Sequence, residues 1–316
     1  MRIRQLFFCL VFAGALPLFA QRGQTDWNKP FPPHKIVGNV YYVGSQNIGI
    51  YLFTTPAGHI LIDSGISMMQ SQILPNVEKL GFKPGDIKIL LSSHAHVDHV
   101  QGHAIMKRST GAQVMAMGPD AKALEAGLDL SPVAFEGWEP VKVDRVLKDG
   151  DTVSLGGTTL RALWTPGHTP GCTTWTTTVP DGGREYNIAM SCGVGPNAGP
   201  PLVGNVAHPR IVEDTLSTIK KLRALTPDMI LPGHPQQLFA GKVDRIRSGE
   251  RPHPLLLEPG AWANQIGAQE AAFMKRLNDE KTRSRAGVAS RARPSNGSER
   301  WSSTHYRITT IERDRL

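Results

Sequence analysis

The 316-residue sequence predicts an α/β protein in which two sheets pack together with helices outside. Three observations predict it. Short β-branched apolar runs alternate with amphipathic stretches, and they fall into two halves. Three of those runs end in loops that carry histidine, the position at which open α/β sheets bind ligands. Hydrophobic residues make up 40% of the chain, enough for a real core.

The elements follow in order. "GNVYYVG" (38–44) and "IGIYLFTTPAGHILIDSG" (48–65) read as strands, the latter a pair joined by a Pro-Ala-Gly turn. "MMQSQILPNVEKLG" (68–81) has helical periodicity, interrupted or started at Pro75 and closed by Gly81. "IKILL" (87–91) is a buried strand, and a helix follows around 102–109. "AQVMAMG" is a strand, and "PDAKALEAG" is a helix with proline at its start and glycine at its end. "GDTVSLGGTTLRALWTPGH", "GCTTWTTTV" and "EYNIAMSCG" are strands of the second half. "PRIVEDTLSTIKKLRAL" (209–225) is a helix, "PDMILPGH" (227–234) a short buried strand, and 261–280 a last helix. There is no internal repeat.

The two ends differ from this pattern. Residues 1–20, "MRIRQLFFCLVFAGALPLFA", carry Arg2 and Arg4, an apolar run, a proline and a small residue at Ala20. That reads as a secretory signal peptide cut near Ala20, placing the mature protein in the periplasm or outside the cell. The apolar run is short for a span, so no membrane association is expected after cleavage. Residues 281–316 are polar and basic with no apolar period, the composition of a disordered tail. The net charge of +8 divides into +2 in the leader, +6 in the tail and zero in the domain at 21–280. The basic balance is therefore no sign of a nucleic-acid face.

The chemistry concentrates in "LLSSHAHVDHVQGH" (90–103). Because "IKILL" is a strand, His94, His96, Asp98 and His99 sit in the loop at its carboxyl end. His168 and His234 share the setting, each after an apolar strand and a Pro-Gly: "LWTPGH" and "MILPGH". Glycine lets the backbone turn sharply before a side chain that must point inward. Five imidazoles and one carboxylate are a donor set suited to Zn(II). Six donors exceed one tetrahedral site, so two zinc ions sharing a water are expected, with the pKa of that water lowered to about 7. His34, His59, His103, His208, His253 and His305 lack this context and read as core or surface residues.

His94-Ala-His96-Val-Asp98-His99 resembles the H-x-H-x-D-H motif of the metallo-β-lactamase superfamily. "WNKPFPPHKIVGNVYYVG", "GHILIDSG", "TPGHTPGCTTWT" and "ILPGH" extend the resemblance to class B β-lactamases of the third subclass, over about residues 26–280. The resemblance implies a four-layer αβ/βα sandwich with the site at one edge. It implies His94, His96 and His168 on one zinc, and Asp98, His99 and His234 on the other. Asp63 resembles the family's buried aspartate that braces the motif loop. Thioesterases such as glyoxalase II and lactonases of the superfamily carry a second aspartate after the third histidine. Here that strand reads "EYNIAMSCGVGPN", with no carboxylate at its end, which favours a lactamase.

The resulting expectation is a secreted, monomeric di-zinc β-lactamase acting on a small molecule through a metal-bridging hydroxide oriented by Asp98. A lactonase or glyoxalase II-like thioesterase is the alternative. A Cys ligand near Cys192 is used in another subclass, but His99 argues against it here. Gly193 and Gly195 stand where some relatives have serines, leaving Asn197 as the candidate for the substrate carboxylate. Pocket walls are expected from residues 128–140 and Trp27. Cys9 leaves with the leader, and Cys172 and Cys192 are expected to pair as a disulfide, in keeping with an oxidising compartment.

Overall fold

In a computed structural model, which describes residues 27–235, 239 and 241–291, two mixed sheets pack face to face between helical layers. The expected leader (1–20) and the tail beyond 291 lie outside the described residues. The first sheet has strand order β1 to β7: His34–Val37, Val40–Tyr42, Tyr51–Thr55, Gly58–Ile62, Ile87–Leu91, Gln113–Met117 and Arg145–Leu147. Its first four strands are antiparallel neighbours, and β4 to β7 pair in parallel. The second sheet runs β12-β11-β10-β9-β8, from Thr152–Leu155 (β8), Thr158–Trp164 (β9), Thr173–Asp181 (β10), Arg184–Met190 (β11) and Met229–Ile230 (β12).

Three apolar clusters fill the spaces between layers. Tyr42, Phe53, Ile60, Leu91, Trp175 and Ile188 belong to the cluster between the sheets. On the outer face of the first sheet, Leu61, Leu90 and Val114 meet residues of α1 (Gln70–Lys79), α3 (His103–Thr110) and α4 (Gly118–Ala126). The third cluster joins α5 (Ile211–Arg223) to α7 (Ala261–Arg291) through Ile219, Leu222, Trp262, Ile266 and Leu277. Two shorter α-helices are α2 (Val97–Val100) and α6 (Val243–Arg247), and single 3-10 turns stand at Ser67–Met69 and Pro84–Asp86. The αβ/βα sandwich follows from this layering.

Three elements differ from expectation. Pro75 neither starts nor interrupts α1; it sits inside the continuous helix. The hydrogen bond a proline forfeits there is to the carbonyl four residues back, and that residue, Ser71, is exposed to water. The last helix continues past 280 to Arg291, so the boundary of the tail drawn at 281 falls within a helix. Residues 281–285 are exposed and helical without an apolar face, while Lys275–Asp279 and Arg276–Glu280 pairs at i,i+4 precede them. Strands β1 and β7 are additional edge strands, each too short to show an alternating pattern. Among the described residues no helix is long and apolar enough to cross a membrane.

Candidate metal centre

All six expected donors converge at one edge of the sandwich, at the carboxyl ends of strands from both sheets. They form two triads, His94-His96-His168 and Asp98-His99-His234, within each of which the donor atoms lie within 4.8 Å of one another. The first sheet supplies four of them. "IKILL" forms β5, fully buried except at Lys88, and the chain leaves it through Ser92 and Ser93 into the motif loop. His96 precedes the single turn of α2, so Asp98 and His99 are carried on helical backbone, with the His99 ring centroid 4.1 Å from that of His94. Ring centroids of His94, His96 and His168 are 4.6 to 4.8 Å apart. Asp98 Oδ2 lies 3.4 Å from both His99 Nε2 and His234 Nε2.

The glycines before His168 and His234 do different work. Gly167 has φ +134°, a conformation open to glycine, and a Cβ there would stand 2.8 Å from Thr215 Oγ1. Gly233 allows close approach instead: a Cβ would stand 3.0 Å from His99 Cε1. The His234 loop is also tied to the turn before β3. Gly49 N donates to Gly233 O (2.7 Å), Tyr51 Oη donates to Pro232 O (2.7 Å), and His234 Nδ1 pairs with Asn47 O (3.1 Å).

Asp63 is fully buried and adopts φ +64° at the end of β4. Its carboxylate accepts from Ser93 N (2.7 Å) and Ser93 Oγ (2.6 Å) and meets His99 Nδ1 at 2.9 Å. This fixes the ring so that Nε2 faces the second triad. His103 stays apart from the centre, between Ser64 Oγ (2.7 Å) and Ser92 Oγ (2.9 Å). His34 and His253 are likewise buried on backbone carbonyls.

The electrostatics suit metal ligation. Burial, reinforced by the neighbouring imidazoles, drives His94 well below its ordinary value. Burial also lowers His96 to about 4 and His168 to about 3. His234 is lowered by burial and by His99. These rings are neutral, the form that binds a cation. Burial acts to lower His99 too, but the carboxylates of Asp98 and Asp63 outweigh it and raise its pKa. For Asp98, burial acts upward and is outweighed by His99, His234 and His96, so the carboxyl stays ionised. His96 Nε2 and His99 Nε2 are buried without a hydrogen-bond partner, which two cations in the triads would satisfy. The donor set therefore fits zinc.

The pocket over the triads has a volume of about 310 Å³ and is walled by Trp27, Phe135, Cys192 and Asn197. Asp98 is its one carboxylate among the described residues. A larger cleft of about 640 Å³ lies on the second sheet, but its lining holds no histidine, cysteine or carboxylate among the described residues. Chemistry therefore places the site in the smaller pocket. Cys172 and Cys192 are joined by a disulfide, Cα–Cα 5.8 Å, linking the start of β10 to the segment after β11. From α7, Arg276 donates to the carbonyls of Asn197 and Pro200, and Glu280 accepts from Leu202 N (2.6 Å). Sequence reading missed this clamp on the pocket wall, and it missed Asp120, whose carboxylate ties the two loops of the first triad together.

The fold and the paired triads define a metal-dependent hydrolase architecture. The chain matches the family model of the metallo-beta-lactamase superfamily over residues 43–234, and it belongs to that superfamily. It is similar to BJP-1, a subclass B3 metallo-beta-lactamase of Bradyrhizobium japonicum, at 36% identity and TM-score 0.75, covering 82% of this chain and 98% of that one. Native FEZ-1 metallo-beta-lactamase from Legionella gormanii is 37% identical, with TM-score 0.75 and coverage of 80% and 98%. A hydroxyacylglutathione hydrolase of Rhodospirillum rubrum is 30% identical over 99 residues, so the chain spans only 31% of the length of that relative and 31% of its own.

Proposed function

We propose that the protein is an exported di-zinc β-lactamase. The observation that carries this reading is the composition of the second triad: Asp98, His99 and His234, with no carboxylate at the end of β11. His94, His96 and His168 would hold one zinc, and Asp98, His99 and His234 the other. Such ions polarise a carbonyl and lower the pKa of water to about 7. The residues of the chain do the rest. Asp98, ionised beside His99 and His234, orients the attacking water, whose proton is the one that the ring nitrogen later takes up. The water oxygen bonds to the carbonyl carbon of the strained cyclic amide, the C–N bond breaks, and the ring nitrogen takes up a proton. Asp63 keeps His99 in the required orientation. The Asn197 side chain is assigned to the substrate carboxylate, with Trp27 and Phe135 closing the walls around the ring.

The leader supports export to the periplasm or beyond, and the Cys172–Cys192 disulfide suits an oxidising compartment. Closing a loop of that size contributes about 3 kcal/mol in the chain-entropy model. A monomer without nucleic-acid or membrane partners, conferring resistance to β-lactam antibiotics, completes the reading. The test is inhibition. β-Lactam turnover should be abolished by chelators, restored by Zn(II), and untouched by the serine-directed inhibitor clavulanate, because no serine is acylated. Chelator-resistant turnover, or time-dependent inactivation by clavulanate, would contradict it. The similarity to a hydroxyacylglutathione hydrolase favours a second reading, a thioesterase or lactonase, which substrate comparison separates.

A further inference from the structure

Asp120 lies in the first turn of α4, on the outer layer of the sandwich, yet its side chain is buried beneath the first triad. One oxygen, Oδ2, accepts from Ala95 N (2.8 Å) and from Thr169 Oγ1 (2.8 Å). The other, Oδ1, accepts from Gly171 N (2.7 Å). Ala95 stands between His94 and His96, and Thr169 follows His168. A single carboxylate thus joins the strand-end loop of the first sheet to that of the second, through residues adjacent to the three histidines on both sides. The contact is built closely: a Cβ on Gly171 would stand 2.4 Å from Asp120 N and 2.6 Å from Asp120 Cγ. All three partners are donors, and the helix N-terminus favours a carboxylate there.

We propose that Asp120 is the positioning residue of the first metal triad, setting the separation of His94 and His96 from His168 across the two sheets. The proposal rests on the dinuclear reading above. The division of labour is specific. Asp63 meets His99 directly and reaches His94 only through the Ser93 hydroxyl, which lies 3.0 Å from His94 Nδ1, whereas the hydrogen bonds of Asp120 fall on the residues that flank His94, His96 and His168. Loss of such an outer partner costs about 10- to 100-fold in metal affinity. In Asp120→Asn an amide N–H replaces one acceptor, so one donor is set against another.

The experiment is titration of the metal-free full chain with Co(II), read by visible absorption and by calorimetry, alongside thermal unfolding of the same metal-free samples. Wild type should bind two ions. Asp120→Asn should bind one of them at least about tenfold more weakly, with the other unchanged. In a His234→Ala background, which leaves the first triad as the complete one, adding Asp120→Asn should weaken the remaining ion by the same factor. If Asp120→Asn does not fold, Thr169→Val decides: it should weaken one ion several-fold, while Thr169→Ser, which keeps the hydroxyl, should match wild type. Unchanged binding of both ions, or equal weakening of both in step with a lower metal-free melting temperature, overturns the positioning role alone. Wild type that binds fewer than two ions overturns the dinuclear reading and this role with it.

Discussion

His99 Nδ1 lies 2.9 Å from Asp63 Oδ2, and both side chains are fully buried. The pair connects the end of β4 to the motif loop, and Asp63 holds it from a backbone conformation that few side chains adopt, at φ +64°. Replacing Asp63 with Ala leaves Ser93 N and His99 Nδ1 without their acceptor. The metal-free protein should lose about 1–3 kcal/mol in urea unfolding for each stranded donor. Ser93→Ala, which removes only one of the three contacts, should lose less. Equal stability of Asp63→Ala and wild type would show that the brace contributes nothing.

Acid should destabilise the metal-free protein through His103. Its ring is fully buried between Ser64 and Ser92, and burial lowers its pKa from 6.5 to about 4, against the pull of Asp63. The unfolded chain takes up this proton below 6.5, whereas the folded one holds out to about 4. The contribution is therefore complete above pH 6.5 and is lost as pH falls toward 4. The shift corresponds to about 3 kcal/mol over that window. His103→Gln should flatten the slope of stability against pH by about one proton. An unchanged slope would place the acid sensitivity elsewhere.

Much of this was legible from residue order. The six donors follow apolar strands, and strand ends are where a sheet delivers side chains to a common edge. Helix α4 was marked by Pro119 at its start and Gly127 at its end, where φ is +68°. Asp120 was not legible as a brace, because an acidic residue in a first helical turn is ordinary and its partners lie 25, 49 and 51 residues away. Nothing local marks such contacts. The end of α7 was missed for the opposite reason. A basic run without an apolar face has the composition of a tail, yet helical backbone continues through it to Arg291.

The last helix also sets a limit for truncation. Leu277 is buried against α5, and Arg276 and Glu280 hold the pocket wall at Asn197 to Val203. Deleting 292–316 should leave melting temperature and turnover near wild type. Deleting 276–316 should remove a buried leucine, at a cost of about 2–5 kcal/mol, and raise KM more than it lowers kcat. Loss of folded protein on the shorter deletion would show that residues beyond 291 support the domain.

The central claim is that this centre opens a cyclic amide. Its most direct measurement is side-by-side kcat/KM for penicillin, cephalosporin and carbapenem substrates, an acyl-homoserine lactone and a glutathione thioester, on one zinc-loaded preparation. The best β-lactam should exceed both the lactone and the thioester by at least ~100-fold, about 2.7 kcal/mol in transition-state binding. Turnover of the lactone or the thioester that equals or exceeds that of the best β-lactam would contradict the account and make the protein a lactonase or thioesterase.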